Sequence, residues 1–89
     1  MSYEPRLIIK KADMNNHQQL FEDIAYGTKK YKKEEEQKAM EFIANVYLKE
    51  TSYNIFGTEC FFCQPELTSF NAKVRQKLNL LDIEYVYIN

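Results

Sequence analysis

The sequence predicts an α+β domain whose elements run strand, helix, long helix, hairpin, helix, strand. Three observations predict it. Short β-branched or apolar runs stand near both ends, Leu7-Ile8-Ile9 and Ile83 to Ile88. Apolar residues at helical spacing fill most of the interval between them. A glycine-punctuated stretch rich in β-branched and aromatic residues interrupts that interval from Thr51 to Cys63. With 89 residues the chain is one domain, residues 1–89. Its 45% hydrophobic content is too high for a disordered chain, and two Gly and two Pro leave little room for long loops.

The first strand is R-L-I-I-K-K, Arg6 to Lys11. Asp13 and Asn16 are N-cap residue types, and Leu20, Phe21, Ile24 and Ala25 then recur at helical spacing. Gly27 stands where a helix commonly stops, so a helix is expected over 15–26. Lys29 to Glu50 has no Gly or Pro and reads as a second, longer helix. Ala39, Met40, Ile43, Val46 and Tyr47 form its stripe, widened by Phe42 and Leu48. Its first half is polar all round, with i,i+4 pairs Lys30–Glu34, Lys32–Glu36 and Glu34–Lys38, and should project into solvent.

In T-S-Y-N-I-F-G-T-E-C-F-F-C a two-residue Gly57-Thr58 loop predicts a type II′ hairpin. Pro65 suits the first position of a helix and Glu66 suits its dipole. Leu67, Phe70, Val74, Leu78 and Leu81 step by three and four, the cleanest amphipathic signal in the chain. Asp82 ends this helix, and Ile83 to Ile88 is a terminal strand with faces Ile83, Tyr85, Tyr87 and Glu84, Val86, Ile88. The order is β-α-α-β-β-α-β. Without its extra helix it is the split β-α-β order of ferredoxin-like folds, an antiparallel sheet with helices on one face. Whether the extra helix covers the other face separates a closed monomer from an adhesive module.

A net charge of −1 supplies no global field for nucleic acid or anionic membrane. No run of 18 apolar residues is present, and Met1 to Arg6 lacks the basic and apolar regions of a secretory signal. Two cysteines are too few for a disulfide scaffold, so a reducing cytoplasm is expected. Richness in Lys, Asn, Ile and Tyr is in keeping with a low-GC genome, such as that of a phage or mobile element.

Cys60-Phe61-Phe62-Cys63 is the one motif with a reaction attached: before a helix, the first thiol of C-x-x-C is activated and the second resolves a mixed disulfide. From Tyr53 to Tyr87 the chain locally resembles glutaredoxin: a strand, C-F-F-C, an amphipathic helix, then I-E-Y-V-Y-I. That resemblance implies a thiol-disulfide role for Cys60 and Cys63. In that family, however, the helix begins at the motif and further strands follow. Here Pro65 marks a start after Cys63, and a strand would point the two thiols to opposite faces. Half a zinc site is the other use of this spacing, but His17 is the sole histidine and lies far away in sequence, so no metal or other cofactor is expected. His17, among Asn15, Asn16, Gln18 and Gln19, is read as a solvated surface residue.

Lys29-Lys30-Tyr31-Lys32-Lys33 could contact phosphates while Tyr31 stacks on a base, but Glu34-Glu35-Glu36 cancels its charge at once. The aromatics of the second half, among them Tyr53, Phe61, Tyr85 and Tyr87, exceed what a small core can hide. An open sheet face bearing them would be a protein-contact surface. The leading expectation is therefore a non-enzymatic module binding a protein partner, itself or a larger one, with the thiol-disulfide and nucleic-acid readings behind it.

Overall fold

A computed structural model describes residues 6–64 and 68–88. The elements are β1 (Arg6–Lys10), α1 (Lys11–Asn15), α2 (Gln18–Ala25), α3 (Glu34–Lys49), β2 (Tyr53–Ile55), β3 (Thr58–Cys63), α4 (Thr68–Leu80) and β4 (Tyr85–Ile88). The domain is α+β, with four helices and one open four-stranded sheet in the order β2-β3-β1-β4. Every neighbouring pair is antiparallel.

The single helix expected over 15–26 is two. The chain turns at Asn16 and His17, whose N–H groups donate to the carbonyls of Asp13 (3.3 Å) and Met14 (2.9 Å). Asp13 is no N-cap. It lies within α1, and its carboxylate accepts the N–H of Glu84 at 2.9 Å, fastening α1 to the approach of β4. Gly27, at φ +80°, closes α2: its N–H reaches the Ile24 carbonyl and that of Thr28 the Asp23 carbonyl.

The long helix starts at Glu34, not Lys29. Lys33 is extended at φ −86°, ψ 130°. Glu34, Glu35 and Glu36 fill the first turn, where the positive end of the helix dipole favours carboxylates. A helix begun at Lys29 would have set four ammonium groups against that end. The Tyr31 N–H is instead taken by the Gln37 side chain at 2.8 Å.

The hairpin loop is Phe56-Gly57, because Ile55 pairs with Thr58. Both loop residues have positive φ, 51° and 85°, which makes a type I′ turn rather than the expected II′. Asn54 Oδ1 accepts the Gly57 N–H at 2.9 Å. The expected helix start at Pro65, Glu66 and Leu67 lies outside the described residues. At its far end α4 closes on Asp82 at φ 57°, with the Ile83 N–H bonded to the Leu78 carbonyl at 2.9 Å.

The register sorts the sheet into two faces. Leu7 and Ile9 stand opposite Cys63 and Phe61 on one side of β1, and opposite Tyr87 and Tyr85 on the other. These side chains share one face. Leu7, Ile9 and Phe61 join Met14, Phe21, Ile24, Met40, Ile43, Val74, Leu78 and Ile83 in one hydrophobic core, with Tyr85 and Tyr87 packed against it. The helices therefore lie on that face, and the extra helix does not cross to the other. Phe61→Ala is expected to cost about 3–5 kcal/mol in urea unfolding. Phe56, a non-glycine residue in the left-handed region with its ring fully exposed, is strained. Phe56→Asn should raise stability by about 0.5–1 kcal/mol; an unchanged or lower urea midpoint would contradict that strain.

Candidate protein-contact face

The uncovered sheet face is built by the residues between the core positions. Tyr53 and Ile55 come from β2, Cys60 and Phe62 from β3, Ile8 from β1, and Val86 and Ile88 from β4. Tyr53 is 55% exposed, Phe62 44%, Val86 55% and Ile88 50%. Tyr53 and Phe62 meet edge to face, their ring centroids 5.9 Å apart. Ile8 and Ile55 are half-buried among them, and Cys60 is buried. Among the described residues, the one ion pair across this face is Lys10–Glu84 at 3.4 Å. Beside Tyr53 and Phe62 the face runs into an open cleft of about 570 Å³, which Phe42 and Val46 of α3 and the following Glu50 also line.

Of the four residues expected to form the contact surface, Tyr53 alone lies here. Phe61 is 1% exposed and stacks edge-on against Tyr47, so it serves the core. Tyr85 and Tyr87 face the helices. The Tyr87 hydroxyl accepts a hydrogen bond from Asn71 Nδ2 at 3.2 Å, and the Arg75 guanidinium sits 4.1 Å above its ring. The reason is the two-residue period of a strand: with Leu7 and Ile9 inward, the register turns Phe61, Tyr85 and Tyr87 inward as well. Phe62, Val86 and Ile88 take the open side. Asn71, on α4, is another residue the apolar stripe did not signal. It is buried, and its Oδ1 has no hydrogen-bond partner among the described residues.

The two cysteines do not come together. Both lie on β3, three residues apart, with Cys60 toward the open face and Cys63 toward the helices. Three strand steps separate their Cα atoms by roughly 10 Å, against the roughly 4.4–6.8 Å of a disulfide. The Cys63 thiol donates to the Leu7 carbonyl at 3.4 Å. Burial, assisted by the Glu50 carboxylate, pushes it up to about 12, the opposite of an activated thiol. Among the described residues no group of three His, Cys, Asp or Glu could hold a metal. His17 is not merely solvated: half-buried at the start of α2, it donates from Nε2 to the Leu81 carbonyl at 2.7 Å.

The Lys29–Lys33 segment is the loop between α2 and α3. Lys29, Lys30, Lys32 and Lys33 are exposed, while Tyr31 is half-buried against the core. The Tyr31 ring is occupied by cations of this chain, Lys77 at 5.6 Å and Lys29 at 5.7 Å from its centroid. Lys77 also bonds Glu36 at 3.1 Å. That hydrogen bond, with the charges of Lys77, Lys33 and Lys73 behind it, holds the Glu36 carboxyl below its usual range despite partial desolvation. Tyr31 is therefore engaged within the fold rather than offered to a base.

Comparison of the chain with protein-family models, with curated proteins and with solved structures finds no match.

Mild oxidation should leave both thiols free, as mass spectrometry after denaturing alkylation would show; an intramolecular Cys60–Cys63 disulfide would contradict the strand placement. Because the folded Cys63 pKa lies above its unfolded value, its contribution to stability is complete below about pH 9 and is lost as pH rises toward 12. Cys63→Ala should therefore flatten the alkaline fall of the melting temperature. Glu36 has the opposite sign: its contribution is present above its unfolded pKa and disappears as pH falls through the lowered folded value. Lys77→Ala should lower the melting temperature at pH 7 and remove this acid-side dependence, since it takes away the partner that holds the Glu36 carboxylate.

Proposed function

We propose that this domain is a non-enzymatic protein-contact module that docks a partner protein on its open sheet face. The observation that carries the reading is the cluster of Tyr53, Phe62, Val86 and Ile88, half-exposed side by side on a face that no described helix covers. Large apolar side chains held on a rigid sheet bury much area at little entropic cost, and a patch of this kind is a typical recognition surface. Lys10 and Glu84 give its margin the polar rim such surfaces carry.

The topology proposed with this reading is ferredoxin-like, a split β-α-β plan with one further helical segment. What supports it is the insertion of β1 between β3 and β4 with every neighbour antiparallel. Two thiols unsuited to pairing are in keeping with a reducing compartment.

The test is affinity capture of the partner from the native host's lysate, with its identity fixed by mass spectrometry and its binding then measured with purified components. Phe62→Asp and Tyr53→Asp, both at exposed positions, should each weaken that binding by at least about tenfold. Replacing Lys29, Lys30, Lys32 and Lys33 by Ala should leave it unchanged. Full binding by Phe62→Asp, or loss with the four lysines, contradicts the proposal.

A further inference from the structure

The main-chain register leaves one sheet edge open in a self-complementary way. Lys10 N–H donates to the Glu84 carbonyl at 3.0 Å, and this pair continues the ladder in which Ile9 faces Tyr85. Antiparallel ladders alternate between bonded and non-bonded pairs. Ile8–Val86 and Arg6–Ile88 are therefore the next bonded pairs. It follows that the N–H and C=O groups of Tyr85 and Tyr87 point away from β1, to the outside of the sheet. Among the described residues nothing bonds them there.

The two edges differ. β2 has only three residues and ends in the strained Phe56-Gly57 turn, and a short edge offers little to pair with. The run from Glu84 to Ile88 contains no Pro, no Gly and no Lys, the residues by which edges are usually blunted.

We propose that β4 is a self-association edge, on which two copies of this chain pair antiparallel about a two-fold axis at Val86, joining two four-stranded sheets into one. The occupant is a second β4 because the edge fits itself. The outward groups of Tyr85 and Tyr87 are placed symmetrically about Val86. Tyr85 then stands opposite the partner's Tyr87, and Tyr87 opposite the partner's Tyr85, making four main-chain hydrogen bonds with no outward group left over. Glu84 is the one charged side chain in this stretch. It falls opposite the partner's Ile88, so no like charges meet, and its carboxylate is already held by Lys10 at 3.4 Å. The Tyr side chains stay on the helix side. Val86 meets the partner's Val86 on the open side, where two apolar faces become continuous.

The contact is small. One short strand against another lies at the low end of interface sizes, below the roughly 1,200 Å² of total area that stable interfaces bury, so the dimer is a weak, transient one. Pairing at this edge does not require a partner docked on the open face.

Sedimentation equilibrium over about 10 μM to 1 mM reads the association directly. Wild type is expected to dimerise within that range. Val86→Lys and Val86→Glu, at a half-exposed position, each set like charges across the axis and should weaken association by at least about tenfold. An equimolar mixture of the two should restore it, which also shows that both variants fold. Phe62→Lys, two strands away on the open face, should leave it unchanged while disabling the face. Wild type monomeric at 1 mM, a mixture no better than either variant alone, or a dimer dispersed by Phe62→Lys but not by Val86→Lys overturns the proposal.

Discussion

The rest of the molecule depends on which way the pleat of β1 turns. β1 pairs on both sides, with β3 and with β4, so its alternation is imposed on three strands at once. Leu7 and Ile9 are inward and essentially unexposed. That choice sends Phe61, Tyr85 and Tyr87 to the helices and Phe62, Val86 and Ile88 to the other side. A slip of one residue would exchange the two sets and expose Leu7 and Ile9 to water, at roughly 1.5–3 kcal/mol for each large side chain. The open face is thus the necessary complement of the core, and its apolar character comes from strands that are apolar on both sides.

The helical layer is held to this sheet by polar contacts at its margins as well as by the core. Asp13 takes the Glu84 N–H and His17 donates to the Leu81 carbonyl, so the α1–α2 turn is tied to the segment joining α4 to β4. On another margin the Lys77–Glu36 pair and the Tyr31 ring join α4 to the start of α3. These ties keep the short α1 and α2 on the core face, where Met14, Phe21 and Ile24 are buried. Among the described residues, they leave the opposite side of the sheet to the strands alone.

Much of this was legible in the residue pattern, and the exceptions have physical causes. Alternation and helical spacing located both terminal strands, the hairpin region and the long helix. The helix start at Glu34 rather than Lys29 was decided by the dipole, which residue propensity does not register. The turn at Phe56-Gly57 defied local rules, because a Phe seldom occupies a left-handed position; pairing of Ile55 with Thr58 overrode that preference. The two faces of Ile83 to Ile88 were readable, but which face was inward depended on the partner strand, a non-local fact. The same gap separated Tyr53, which belongs to the open face, from Phe61, Tyr85 and Tyr87, which do not. The opposite placement of Cys60 and Cys63 followed from strand period alone.

Among the described residues, helices cover one sheet face and leave the other bare. Methyl NMR with a soluble paramagnetic gadolinium chelate measures this residue by residue. Strong broadening is expected for the Val86 and Ile88 methyl groups, and intermediate broadening for those of Ile8 and Ile55. Leu7, Ile9, Ile43 and Val74 should be spared, since each is at most 1% exposed. Protection of Val86 and Ile88 in dilute monomeric protein, or broadening of Leu7 and Ile9, would contradict it.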